Sequence, residues 1–293
     1  MTDKKLNFDF AGKVSEFELL VKRVLPKNII YRLTFAKGLE FEGYRDFSPS
    51  DDALLIDWKA SARANKILTR QYIEERDFKI ILVADISDNM VLGSNEKLKC
   101  EYCAELAAAL AHLILISGDK LGFVLFNDEI IKIQPPKQGL NQFESLVHDL
   151  SEADNYGKKS NLNFVLESLT NHLPSSTSLV ILMSDFLSFN DDTINKLRDF
   201  SGLFETIAFM IKDPLDISFP EINKEIIIEN TATGEMKLIN PAVAKKIYEK
   251  NALKHNRFII NSFENLGIDY LELDTTKSFA PLVANFLKKR IKL

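Results

Sequence analysis

Three oxygen-bearing side chains stand at alternate positions directly after a short apolar run. The run covers residues 80–84 and is typical of a strand buried on both faces of a sheet. Asp85, Ser87 and Asn89 follow it, and ligands of an open parallel sheet bind beyond the carboxyl ends of its strands. Because hard divalent cations prefer oxygen ligands, this spacing indicates a Mg²⁺- or Mn²⁺-type site at the edge of a sheet.

Two later loops offer further ligands of the same kind. A second apolar run, residues 178–183, leads into an aspartate, and a serine stands in a loop that opens a predicted helix between the two strands. We therefore predict a metal shell with one position left for water or a partner. Its members are Asp85, Ser87, Asn89, Ser160 and Asp185. The alternative is that the two serines cap helices and that both aspartates are turn residues.

The elements that would position these loops follow from the hydrophobic pattern after residue 77. Strand-like apolar runs alternate there with longer helical patterns, which predicts an α/β fold with a mostly parallel sheet flanked by helices. The predicted strands cover residues 79–84, 121–126, 129–133, 179–183, 205–211 and 270–273. The predicted helices cover residues 96–116, 142–150, 161–173, 192–200, 241–266 and 280–292. We place this domain at residues 78–293, with a small hairpin insertion near residues 225–239.

Residues 1–77 are interpreted as an N-terminal extension. One helix with an apolar stripe is expected to end before Pro26. Residues 38–77 are dense in charge, and we expect a mostly irregular or hairpin-like segment that ends in a strand near residues 67–73. The candidate partner-binding residues of this segment are Arg45, Asp52, Asp57, Trp58 and Arg63. The alternatives are a solvated charged face and an internal ion-pair network against the main domain.

Composition limits the classes of function. The chain has 293 residues, 46% hydrophobic and 27% charged, with a net charge of -5, which is ordinary for a globular protein. Basic residues are not clustered, so we expect no nucleic-acid partner. The N-terminus lacks the apolar core of a signal peptide, and the longest apolar run is shorter than the roughly 20 residues that span a bilayer. We therefore expect a cytoplasmic protein without a transmembrane segment, with any membrane association made through partners.

The sequence gives little support to catalysis. Cys100 and Cys103 form a C-x-x-C motif, but both fall inside a predicted helix, and no further cysteine can complete a zinc site. The four histidines lie in separate predicted helices, and neither a G-x-S-x-G elbow nor a phosphate-binding glycine loop occurs. We predict that the protein is not an enzyme. The alternative is a metal-dependent hydrolase that uses the same two aspartates without an evident base or nucleophile.

The order of the candidate ligands resembles the metal-ion-dependent adhesion site of von Willebrand factor A domains. In that family a D-x-S-x-S motif is followed by a threonine and then by an aspartate. Asp85 and Ser87 match the first motif, and Asn89 replaces its second serine. Ser160 stands where the threonine would be and Asp185 where the last aspartate would be. The resemblance implies a von Willebrand factor A-like (Rossmann-like) fold and a Mg²⁺ or Mn²⁺ ion whose open position accepts a partner's carboxylate.

A narrower resemblance covers nearly the whole chain. Residues 38–63 contain GLEF, RDFSPSDD and IDWKASAR, which are similar to the pattern E-F-x-x-x-R-x-Y-x-x-G-D-D-x-R-x-I-D-W-x-x-x-A-R of domain of unknown function 58. Phe47, Ser50 and Leu54 depart from that pattern. The family comprises von Willebrand A-like bacterial proteins encoded beside MoxR-type AAA+ ATPases. The resemblance implies an adaptor or co-chaperone that helps such an ATPase act on client proteins. A metal-free scaffold with a degenerate site is the alternative.

Overall fold

The computed structural model describes residues 6–24, 39–48, 51, 53–74, 78–218, 226–229 and 236–291. In chain order its elements are α1 (Phe10–Val24), β1 (Leu39–Asp46), α2 (Trp58–Ala64), β2 (Leu68–Glu74), β3 (Lys79–Asp85), α3 (Lys99–Ile116), β4 (Lys120–Phe126), β5 (Ile130–Lys137), α4 (Leu140–Ser151), α5 (Leu162–His172), β6 (Leu179–Ser184), α6 (Asp191–Leu203), β7 (Thr206–Lys212), β8 (Ile226–Glu229), β9 (Met236–Ile239), α7 (Pro241–Leu266), β10 (Asp269–Asp274) and α8 (Phe279–Ile291). Short 3₁₀ helices cover Ala53–Leu55, Asp88–Val91, Ala153–Asn155 and Pro214–Asp216.

The centre of the structure is a six-stranded sheet with the order β10-β7-β6-β3-β4-β5. Neighbouring strands run parallel, except that β5 is antiparallel to β4. Side chains of β3 alternate between two hydrophobic clusters, one on each face of the sheet. The prediction of an α/β fold with a mostly parallel, helix-flanked sheet is confirmed, and it is the architecture that the resemblance to von Willebrand factor A domains implied.

Helices cover both faces of this sheet. Residues of α3, α4 and α8 join one hydrophobic cluster, and residues of α5, α6 and α7 join the other. α3 is buried along nearly its whole length because α1 and α4 pack on its outer side. Among the described residues, no helix combines the length and the apolar character that crossing a bilayer requires.

The segment before the sheet consists of two parts with different surroundings. α1 packs against α3 and α8, and its Phe17 and Val21 are each only 1% exposed. β1 and β2 form an antiparallel hairpin that packs mainly against itself and α2. Pro26, the expected end of the first helix, lies outside the described residues. The domain limits at residues 77 and 78 stay predictions.

Two local predictions differ from the structure. Residues 58–64 form α2, where the sequence had been interpreted as mostly irregular. The edge strand β5, expected to end at residue 133, continues to Lys137 and contains both prolines. Pro135 and Pro136 fall where the register of the β4–β5 pair shifts, and an edge strand with a bulge tolerates residues that cannot donate an N–H. Opposite them, a Cβ on Gly122 would approach Pro136 to 3.1 Å.

Candidate functional site

The carboxyl ends of three adjacent parallel strands meet at one edge of the sheet. Asp85 ends β3, Asp185 directly follows β6, and Lys212 ends β7. Since β6 lies between β3 and β7, these residues share one edge. Both aspartates are completely buried. The predicted convergence of strand-end side chains is therefore present, and it takes place inside the protein.

Hydroxyl and amide donors surround the Asp85 carboxylate. Ser160 Oγ donates to Asp85 Oδ2 at 2.9 Å, and Ser184 Oγ donates to the same oxygen at 2.7 Å. The backbone N–H of Ser87 donates to Oδ1 at 2.9 Å. Burial, together with the nearby Asp185 charge, raises the pKa of Asp85 to about 6. Donors from two loops and from the end of β6 thus converge on this carboxylate, and both of its oxygens already accept hydrogen bonds.

The Asp185 carboxylate is paired with a buried lysine. Lys99, the first residue of α3, is 1% exposed and lies with its Nζ 2.8 Å from Asp185 Oδ2. The same ammonium donates to both carboxylate oxygens of Asp216, at 3.0 and 3.1 Å. The other oxygen of Asp185 accepts from the Leu187 N–H at 3.0 Å. Burial lowers the pKa of Lys99, but the two carboxylates outweigh this effect and hold that pKa above its ordinary value.

A second buried lysine joins the same cluster. Lys212 Nζ donates to the backbone carbonyl of Asp185, and burial lowers the pKa of this lysine. The next residue, Asp213, accepts from the N–H and the Oγ of Ser94 at 3.0 and 2.7 Å. These contacts bind the loops after β6 and β7 to the segment that leads into α3.

The remaining predicted metal ligands behave differently from each other. Ser87 Oγ is buried and makes no hydrogen bond of standard geometry with any described residue, although the hydroxyl lies near enough to the Asp85 carboxylate to oppose the rise in the pKa of that acid. Asn89 is only half-buried, in the short 3₁₀ helix Asp88–Val91. One buried hydroxyl supplies a single ligand, whereas Mg²⁺ demands a near-octahedral oxygen shell.

The contacts of the two carboxylates do not fit a divalent ion. An ion held by Asp185 Oδ2 at roughly 2.1 Å would stand within about 5 Å of the Lys99 ammonium. At an effective dielectric constant of about 20, the repulsion between these charges is on the order of 7 kcal/mol. Within the described part of the chain, no three His, Cys, Asp or Glu side chains form a group that could hold a metal. The metal site stays a prediction that this geometry does not favour.

Sequence reasoning missed several members of this cluster. They are Lys99, Ser184, Lys212 and Asp216. Lys212 could have been found by the rule that drew attention to the aspartates, because it also stands at the end of an apolar strand. Lys99 carried a weaker signal, a cation at the first position of an otherwise apolar helix.

The predicted partner-binding residues separate into two groups. Asp57, Trp58 and Arg63 line an open groove of about 690 Å³ on the unit formed by β1, β2 and α2. Arg45 lies outside the groove and makes a two-pronged contact with Asp51, at 2.6 and 2.7 Å. Asp52 falls outside the described residues. The ion pairs described here connect residues of the unit to one another, rather than to the main domain.

Asp57, which lines this groove, makes several hydrogen bonds within the unit. It caps α2 by accepting from the N–H groups of Lys59 and Ala60, both at 3.0 Å. Its other oxygen accepts from Arg70 Nη2 at 2.9 Å and from the Tyr44 hydroxyl at 3.2 Å. The backbone hydrogen bonds of the helix cap, reinforced by Arg70, lower the pKa of Asp57 to about 2. Its charge is therefore satisfied within the unit.

Two other charged residues that line the groove, unlike Asp57, have no ion-pair partner among the described residues. Arg63 and Lys59 are exposed, and neither makes an ion pair with any described residue. Trp58, the only tryptophan of the chain, is 68% exposed beside them. The groove thus presents an aromatic surface with unpaired cations, because Arg70 already neutralises its one acidic lining residue.

The C-x-x-C motif lies nearer to a helix start than the sequence had suggested, since α3 begins at Lys99. Cys100 and Cys103 are nevertheless buried, at 1% and 2% exposure. Burial raises the pKa of Cys100 to about 12 and that of Cys103 well above its ordinary value. Because the thiolate is the reactive form, the motif has the character of a packed pair rather than a redox centre.

We expect both thiols to resist a disulfide reagent such as DTNB in the native protein at neutral pH. The reagent should react rapidly with two thiols only after denaturation, since unfolding restores access and an ordinary thiol pKa. Absorbance during labelling with and without urea measures this difference. Rapid labelling of the folded protein would contradict the buried, protonated state of the pair.

A family model described as "Protein of unknown function DUF58" matches residues 43–257. The chain is 22% identical over 250 residues to the uncharacterized protein Rv1480 of Mycobacterium tuberculosis and to the uncharacterized protein Mb1516 of Mycobacterium bovis. Each match covers 84% of this chain and 78% of the relative.

Solved structures that are similar to the chain include two bacterial proteins. The conserved hypothetical protein BatB from Bacteroides thetaiotaomicron is 12% identical, with a TM-score of 0.45 over 74% of this chain and 100% of that chain. A von Willebrand factor type A structure from Catenulispora acidiphila is 13% identical, with a TM-score of 0.37 over 50% of this chain and 35% of that chain.

Proposed function

The chain belongs to the family of proteins of unknown function DUF58, and from this premise we propose that it is a non-catalytic module that binds a partner protein in the groove around Trp58. The observation that carries the proposal is the exposure of the only tryptophan, 68%, in a groove of about 690 Å³. Tryptophan is usually well buried in folded proteins. Together with arginine it is enriched among the residues that dominate protein interfaces.

The charges of the groove define the occupant that it would take. Asp57 is neutralised by Arg70, while Arg63 and Lys59 make no ion pair with the described residues. The groove therefore has an excess of positive charge next to an aromatic surface. Electrostatic complementarity selects a partner segment that carries aspartate or glutamate beside an apolar side chain.

The family resemblance supports one class of partner. Residues 56–63 carry part of the family signature, I-D-W-x-x-x-A-R, and the same stretch builds the groove. A partner common to the family would be recognised by residues of that signature. We propose an acidic segment of a MoxR-type AAA+ ATPase as this partner, with the present chain as an adaptor that brings client proteins to it.

Catalysis is the less favoured function. Asp85 and Asp185 are completely buried and hydrogen-bonded to donors from the protein itself. A substrate would have to displace those donors to reach either carboxylate. This geometry disfavours the alternative of a hydrolase that uses the two aspartates.

Reversing the charge of Arg63 should weaken binding of the cognate MoxR-type ATPase by at least about tenfold. The Arg63→Glu side chain would face the acidic segment, and juxtaposed like charges in an interface are costly. Isothermal titration calorimetry with the purified ATPase measures the effect. Wild-type affinity should also fall as salt is added, because the contacts are exposed.

Lys254→Glu provides the matched control for this experiment. Lys254 is an exposed lysine on α7 without an ion pair to the described residues, so its reversal makes the same change in net charge elsewhere. The Lys254→Glu variant should bind the ATPase with the affinity of the wild type. Equal affinities of the wild type and the Arg63→Glu variant would exclude the groove as the binding site.

A further inference from the structure

We infer that Lys99 supplies, from within the chain, the positive charge that a bound divalent ion would give to the carboxylates at the sheet edge. The ammonium lies 2.8 Å from Asp185 Oδ2 and 3.0 Å from Asp216 Oδ1, and the side chains of Lys99 and Asp185 are each 1% exposed. The inference concerns the buried cluster and stands independently of the groove around Trp58.

The position of Lys99 makes it a tether between three parts of the fold. It is the first residue of α3, Asp185 follows β6, and Asp216 ends the 3₁₀ helix after β7. A metal ion at this edge would hold the same kinds of loop together through oxygen ligands. Here a single side chain makes charge-assisted hydrogen bonds to both acidic loops.

Asp85, the other acid of the predicted shell, is also stabilised by groups of the protein itself. Both oxygens of Asp85 accept hydrogen bonds, from the Ser87 N–H on one side and from the Ser160 and Ser184 hydroxyls on the other. A buried carboxylate is stabilised by such donors in place of a cation. Lys212 adds a further positive group on the Asp185 carbonyl.

Two explanations would account for the absence of metal binding that we infer for this site. One is the departure at Asn89, which stands where the resemblance expects a serine. The other is Lys99, whose ammonium excludes a second cation by repulsion. They predict different behaviour for single substitutions, because only the second explanation makes the lysine necessary.

Mn²⁺ is the probe that separates these explanations. Chelator-treated protein is titrated with Mn²⁺, the free ion is followed by electron paramagnetic resonance, and Tm is recorded with Mn²⁺ or chelator. The wild type should take up no Mn²⁺, and its Tm should be the same in both conditions. Asn89→Ser should also take up none. Lys99→Met should take up Mn²⁺ and gain Tm from it, and adding Ser87→Ala should remove that gain.

Three results would overturn the inference. They are uptake by the wild type that Ser87→Ala abolishes, uptake by Asn89→Ser while Lys99 is present, and failure of a folded Lys99→Met variant to take up the ion. If Lys99→Met does not fold, the wild-type and Asn89→Ser titrations decide, since uptake by either that Ser87→Ala abolishes contradicts a lysine that excludes the metal. Lys196→Met, which removes a half-buried lysine paired with the exposed Glu167, controls for the change in net charge.

Discussion

Replacing Lys99 by methionine is expected to lower the free energy of unfolding by about 3–5 kcal/mol, the usual cost of removing one partner from a buried ion pair. The substitution leaves the Asp185 carboxylate without its ammonium partner at 0% exposure. Asp216, at 10% side-chain exposure, loses the same partner. A loss of this size is a large fraction of the roughly 5–15 kcal/mol that stabilises a typical protein.

Urea unfolding followed by circular dichroism measures this loss. Circular dichroism is the appropriate probe because the only tryptophan, Trp58, lies in α2 of the unit formed by β1, β2 and α2, so that its fluorescence reports local changes there. Lys196→Met is the matched control, because Lys196 pairs with the exposed Glu167. Exposed pairs contribute about 0–1 kcal/mol. A Lys99→Met loss no larger than that of the control would contradict a structural role for the buried ammonium.

A double variant tests the physical cause of the Lys99 effect. In the Lys99→Met background, Asp185→Asn removes the completely buried charge that has lost its ammonium partner, so it should recover part of the lost stability. In the wild-type background the same Asp185→Asn change should lower the free energy of unfolding, because it removes the charged partner of Lys99. Opposite signs in the two backgrounds define a coupling between the residues. Additive effects would mean that the two side chains act through other contacts.

Much of the sheet and part of the buried cluster could be predicted from the sequence. The alternation of apolar runs with helical patterns depends on local periodicity, so it placed strands such as β3 and β6 correctly. The meeting of Asp85 and Asp185 followed from the rule that parallel strands share their carboxyl edge. These predictions succeeded because each depends on residues close together in the chain or on a general property of parallel sheets.

The role of Lys99 could not be predicted in the same way. A lysine at the start of a helix ordinarily extends into water. Its burial depends on Asp185 and Asp216, which are 86 and 117 residues away in the chain. Asp216 reaches the lysine through a 3₁₀ helix that hydrophobic periodicity does not reveal. Contacts of this range depend on the completed fold, so the predicted shell contained the acids without their cation.

The helix α2 illustrates a different limit. Asp57 caps its start, and Asn65 ends it in the left-handed conformation with φ 53°. Both are known cap residues, so the sequence did carry a signal. The seven residues between them are too few to show a clear helical period, and the high charge density favoured an irregular interpretation. Trp58 is the first residue of this helix and is exposed on it, so the sequence could place the tryptophan among the candidate partner-binding residues but could not show the groove around it.

Replacing Trp58 by alanine is expected to weaken binding of the proposed partner, a MoxR-type ATPase, by about 30-fold or more, corresponding to roughly 2 kcal/mol. The indole would lose its contact with the apolar part of the acidic segment, and aromatic anchors of this type carry most of the energy of an interface. The fold should be unaffected, because a side chain that is 68% exposed makes few stabilising contacts. Calorimetric titration and thermal unfolding measure the two quantities separately.

The matched control for Trp58 is Leu203→Ala on α6, which truncates a side chain of similar exposure, 61%, on the main domain. Its affinity should equal that of the wild type, whereas Trp58→Phe should retain part of the binding energy because a smaller aromatic surface remains. If Trp58→Ala bound as tightly as the wild type with an unchanged Tm, the exposed indole would have no part in recognition. If Trp58→Ala lowered both the affinity and the Tm, the effect would reflect damage to the unit formed by β1, β2 and α2. Loss of affinity at constant Tm is the result that assigns the groove to the partner.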